Sequence, residues 1–144
     1  MNRFPFLCLL AAVAGCATEP ISGVYTVNVV AILDQCEVPE FVPAELEMWD
    51  ITFGEGNEVT VETNDGVDAQ CLGDGEVLDC IQQFSIDGVS LRRDLQVSWG
   101  GSDDRFIGNG NLFFSCEDDC GELNDTLPCT ITVSVLGSVP RAEQ

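Results

Sequence analysis

The chain of 144 residues has no histidine, and its five basic side chains are all arginine, so lysine is missing as well. Those two absences remove the residues on which most covalent and acid–base catalysis depends. A serine nucleophile would find no His or Lys to take its proton, and zinc sites built on imidazole cannot form. A pair of carboxylates could still do glycosidase-type work, but that chemistry needs a substrate cleft that so small a chain is poorly able to supply. The expectation is a non-catalytic protein without a cofactor. Positive charge is scarce too: 25 Asp and Glu give a net charge of −20, which excludes nucleic acid as a partner. A long apolar run is also lacking. The longest, residues 4–14, falls well short of the roughly 20 residues that a membrane-spanning helix requires.

Cysteine, by contrast, is plentiful. Eight are present, and outside the cytosol such a number reads as a disulfide framework in place of a metal site. With 45% hydrophobic residues the chain can build a core despite its charge, so disorder is not the expected state. Its length suits one domain.

The first residues combine Arg3, an apolar stretch and the small residues of Val13-Ala14-Gly15-Cys16, the layout of an export signal. This segment resembles the signal peptide of bacterial lipoproteins. The resemblance implies a signal over residues 1–15 and a diacylglyceryl thioether on Cys16, the first residue of the mature protein. It further implies a lipid-anchored N-terminus and spacer over residues 16–22 and residence at the outer membrane, since Ala17 stands where an inner-membrane retention signal would have Asp. The competing expectations are an ordinary secretory signal cut near Ala14 or Ala17 and an uncleaved anchor. Removal of Cys8 and lipidation of Cys16 would leave Cys36, Cys71, Cys80, Cys116, Cys120 and Cys129, an even set able to pair completely.

Beyond the spacer, residues 23–136 read as one all-β domain followed by a loose polar tail, residues 137–144. Gly23 to Leu33 is β-branched and reads as a strand buried on much of both faces. Trp49, Ile51 and Phe53 alternate with polar residues and, through a Gly-rich turn, join Val59 and Val61 as a hairpin. Asn64 to Asp79 reads as a long acidic loop, restrained if Cys71 bridges Cys80, and Ile81 to Ile86 as a short strand before the turn signal Asp87-Gly88. Val89, Leu91, Arg93, Leu95, Val97 and Trp99 then share one face of the longest alternation, with Arg93 its only charge. Phe106, Gly108, Gly110, Leu112, Phe114 and Cys116 line the next strand, whose glycines suggest a bend or close approach. Glu117 to Pro128 is a second acidic loop, and Ile131, Val133 and Val135 face inward from the last strand. Seven to eight short strands and no helical periodicity argue for a small antiparallel β-barrel or β-sandwich, stabilised by disulfides. Cys116 with Cys129 is the best single pairing, because both face inward at adjoining ends of consecutive strands.

Ile21-Ser22-Gly23-Val24-Tyr25 resembles the Gly-x-aromatic opening of lipocalin and avidin barrels, and Val97-Ser98-Trp99 with Phe106-Ile107-Gly108 is similar to an avidin hairpin. The resemblance implies a ligand pocket lined by Tyr25, Arg93, Trp99 and Phe106, with Arg93 against the ring of Tyr25. An ordinary core holding one paired arginine accounts for the same four residues and is the preferred reading, since a small barrel is usually filled by its own side chains. The acidic loops offer the other candidates: Asp65, Asp68, Asp74 and Glu76, then Glu117, Asp118, Asp119, Glu122 and Asp125. Clustered oxygens of this kind suit calcium, an expectation from composition alone, since no calcium-loop spacing is present. The roles that follow are binding of a small ligand or, alternatively, acidic loops meeting a cationic partner, calcium or an envelope polymer.

Overall fold

A computed structural model describes residues 19–56, 58–64, 68–73 and 76–140; the expected signal, Cys16, Asp65 and Asp74 lie outside them. Eight strands follow one another: β1 (Gly23–Asp34), β2 (Leu46–Phe53), β3 (Val59–Thr63), β4 (Ala69–Gly73), β5 (Val77–Ile86), β6 (Val89–Ser98), β7 (Arg105–Cys116) and β8 (Cys129–Ser138). Each pairs antiparallel with its neighbours in sequence, and β1 also pairs with β8, closing a barrel in the order β1 to β8. Of the two expected all-β architectures the protein adopts the barrel. Closure removes the unpaired edges that a sandwich of the same strands would expose.

Alternation decides what faces inward. Tyr25, Val27 and Val29 are buried, whereas Val24 and Val30, at the alternate positions, are exposed, so β1 is covered on one face only and the expectation of burial on both is corrected. A barrel of eight strands has a single inner face and no layer outside it. The outer face carries Asp50, Glu62, Asp79, Arg92 and Asp94 at outward, unburied positions, interleaved with exposed apolar residues such as Val30, Ile107 and Leu136. Asp87 and Gly88 take φ of 52° and 81°, the paired left-handed values of the tight hairpin turn that the sequence suggests. At Gly108 and Gly110 a Cβ would lie 2.3 and 2.0 Å from backbone oxygens of β6, so the expected close approach is real.

Several strand bounds differ from expectation: β5 begins at Val77, within the presumed loop and four residues before Ile81. β4 lies within the presumed acidic loop, and β8 continues through Gly137 and Ser138, which were assigned to the tail. The extra strand reverses the end at which later elements emerge and so changes the disulfides. Cys36 joins Cys129, Cys71 joins Cys80, and Cys116 joins Cys120; the expected Cys116 to Cys129 pairing is incorrect. With β1 beside β8, the end of β1 and the start of β8 meet at one rim. Cys71 and Cys80 face each other directly across β4 and β5. Three disulfides call for an oxidising compartment.

Candidate functional site

The two ends of the barrel are built differently. At one, where β2 turns to β3, β4 to β5 and β6 to β7, the interior is filled with rings. Trp99 packs on Tyr25 edge-on at 5.9 Å, on Phe106 at 5.0 Å and on Phe53 at 5.5 Å, and Trp49 stacks on Phe106 at 5.6 Å. Gly137 is required here, because a Cβ would sit 2.1 Å from the Phe106 ring. The Tyr25 hydroxyl donates to the Ile21 carbonyl at 2.6 Å and accepts from Trp99 Nε1 at 3.2 Å. Burial raises the Tyr25 pKa, the Trp99 bond opposes that, and the charges of Asp104 and Asp103 add to the rise. Ile21 N–H also bonds to the Asp103 carbonyl at 2.8 Å, so the segment entering β1 seals this end.

The other end opens into a cup of about 610 Å³, within the size range of small-molecule sites. Its wall is mostly apolar: Phe41, Pro43, Phe84, Leu91, Leu112 and Phe114 among others. Phe41, carried by the short 3-10 turn Pro39–Phe41 in the β1–β2 connection, stacks on Phe114 at 4.1 Å. The bridge from Cys36 to Cys129 ties the root of that connection to β8.

Arg93 lies at the bottom of the cup. Its Nη1 donates to both oxygens of Glu47, at 3.0 and 2.9 Å, with the two side chains 9% and 10% exposed. Trp49 Nε1 donates to Glu47 Oε1 at 3.0 Å, and the guanidinium carbon stands 5.7 Å from the Trp49 ring centre. In a closed order of eight strands, β2 and β6 are diametrically opposed, so the ion pair crosses the lumen. Gln82, which donates to Thr63 Oγ1 at 3.0 Å, extends the polar layer on β5 and β3. The hollow on its other side measures about 10 Å³, against about 610 Å³ for the cup, so the crossbar forms the floor of the cup.

Of the four residues expected to line one pocket, only Arg93 borders the cup. Tyr25, Trp99 and Phe106 belong to the sealed end, and the contact expected between Arg93 and Tyr25 is replaced by Glu47 and Trp49. Trp99 and Phe106 border a second hollow of about 530 Å³ together with outward residues such as Ser98, Ile107 and Leu136. They are 3% and 2% exposed and offer it little surface. Glu47 was missed by the sequence reading although the signal existed, since it continues the Trp49, Ile51 alternation one step back and so had to face inward.

The acidic loops are occupied with their own structure. Asp119 accepts from the Gly121 N–H at 3.0 Å and from Asn124 Nδ2 at 2.9 Å, bonds that hold its carboxyl below the usual range. Glu117 accepts from the Ser85 hydroxyl, the Glu76 carbonyl accepts from the Trp99 N–H at 2.9 Å, and Asp68, Asp118, Glu122 and Asp125 are not buried. Among the described residues no three His, Cys, Asp or Glu are grouped as metal ligands. Comparison with known proteins finds no matching family, curated protein or solved structure.

Proposed function

We propose that this protein is an exported, lipid-anchored, non-catalytic binding barrel that takes a small, largely apolar molecule into its open end. The observation that carries the reading is the cup itself, an apolar wall over a buried ion pair, in a barrel whose other end is solid with rings. Small barrels are usually filled by their own side chains. A volume of about 610 Å³ left open at one end is therefore a specific feature of this chain, and apolar surface held open in water favours an occupant.

Anchoring at Cys16 is supported by the cysteines: the six from Cys36 to Cys129 bond among themselves, which leaves Cys16 for lipid once the signal is removed. Because Ile21 joins the barrel at its sealed end, a tether there leaves the cup facing away from the bilayer. Its acidic surface would repel anionic headgroups, so attachment would rest on the acyl chains. The intact mass of membrane-extracted protein checks the anchor, and an unmodified N-terminus would overturn it. For the cup, the uncharged dye N-phenyl-1-naphthylamine should brighten in the wild type and brighten less in Leu91→Trp, whose indole takes part of the space and narrows the entrance. Equal brightening in both would remove the cup as the site.

A further inference from the structure

The floor of the cup has a charge arrangement with consequences for what can enter. An arginine at the base of an apolar hollow would ordinarily invite a carboxylate, because a guanidinium kept from water needs a counter-ion. Here that counter-ion is internal. Glu47 takes two bonds from Arg93 Nη1 and a third from Trp49 Nε1, so the floor is neutral as a unit. Both bonds to Glu47 leave from a single nitrogen, and Nη2 and Nε remain donors that the ion pair does not use. Among the described residues the charges bordering the cup besides this pair are Glu40 and Asp87, both acidic, on a chain of net charge −20.

We infer that the cup takes an uncharged amphipath, an apolar body with one hydrogen-bond-accepting head directed at Arg93, and that Glu47 is the residue that excludes anions. The inference rests on the cup-binding reading above and names the ligand class for it. A carboxylate entering the cup would leave water, meet an arginine already neutralised, and lie near Glu47, Glu40 and Asp87, all of its own sign. Entry costs its hydration without the ion pair that would offset it. A hydroxyl or carbonyl head carries no such charge and can accept from the unused guanidinium donors. A cation would find the carboxylates of Glu40 and Asp87 at the exposed rim, where ion pairs contribute little, and at the floor would meet a Glu47 already bonded to Arg93, with Arg93 itself a like charge.

Isothermal titration of the folded protein with 1-decanol and with decanoate, near pH 8 so that decanoate is ionised, tests this with two probes of equal chain length. Decanol should bind tighter by about tenfold or more, the scale of one like-charge interaction across several ångströms of protein. In Glu47→Gln the amide oxygen can still accept from Arg93 but the negative charge is gone, so decanoate becomes the missing counter-ion and the preference should reverse. Should that variant be too unstable to titrate, its melting temperature should rise with decanoate and not with decanol. The double variant Glu40→Gln, Asp87→Asn leaves the floor intact and should narrow the wild-type preference without reversing it. Wild type binding decanoate as tightly as decanol would overturn the assignment of ligand class and leave the cup-binding reading standing. Wild type binding neither would overturn the cup-binding reading itself.

Discussion

The sealed and open ends of this barrel are lined by residues of the same chemical kind, yet one is a core and the other a container. At the sealed end Tyr25, Trp49, Trp99 and Phe106 are each at most 3% exposed and touch one another. The connections there are short, and the incoming chain at Ile21 bonds to the β6–β7 connection at Asp103. At the open end Val89, Leu91 and Phe84 are only half-buried, and a long connection carrying Phe41 stands beside the hollow without filling it. Inward alternation dictates which face is apolar; the volume of the side chains and the path of the connections dictate whether that face is packed. Between the two regimes stands the Glu47–Arg93 crossbar, which caps the solid half and floors the hollow one.

Substitution of one ring at each end should separate the two regimes most widely. Phe106→Ala removes a fully enclosed side chain from among three rings and Gly137, and should cost about 4 kcal/mol by denaturant unfolding. Phe41→Ala loses one stacked partner beside an open space, for about 1 kcal/mol. Similar losses at the two positions would show that the cup is as tightly packed as the sealed end. The boundary between them comes next. Arg93→Ala strands Glu47 in the lumen and should cost about 3 kcal/mol, whereas Arg92→Ala removes the same charge from an outer-face arginine, 48% exposed and paired with Asp94, for about 0.5 kcal/mol or less. Equal, small losses would mean that water reaches the crossbar freely.

The smallest effect concerns the seal and appears only in alkali. Burial raises the Tyr25 pKa above its ordinary value of 10.0, so the folded protein holds that proton more tightly than the unfolded chain. The associated stability is fully present below about pH 10, the unfolded value, and is lost as pH rises through the raised folded value. Tyr25→Phe should lower stability at neutral pH through the lost bond to Ile21 and flatten the alkaline decline. An unchanged decline would assign the titration to another group.

How much of this was legible in the chain differs from residue to residue. The inward set from Val89 through β6 to Trp99 follows from strict alternation, and the close approach at Gly108 and Gly110 and the turn at Asp87-Gly88 follow from their glycines. β4 was hidden because Ala69–Gly73 buries only Cys71 deeply and sits between acidic stretches, leaving no alternation long enough to register. That Arg93 needs a carboxylate or an aromatic ring could be argued from its place on an apolar face, and it has both. Which carboxylate could not, since Glu47 lies 46 positions away on the strand across the lumen.

The class of fold was legible in the sequence alone, because a period of two with turn residues between short runs and no helical periodicity argues for an all-β domain. The need for an oxidising compartment followed from its cysteines, and the absence of His and Lys narrowed the chemistry. The pairing of Cys36 with Cys129, the partner of Arg93 and the existence of the cup were decided only in three dimensions. Each depends on closure of β8 onto β1, which sets which strand ends share a rim and which strands oppose each other across the lumen. Closure is a property of all eight strands together, and no local pattern in the chain encodes it.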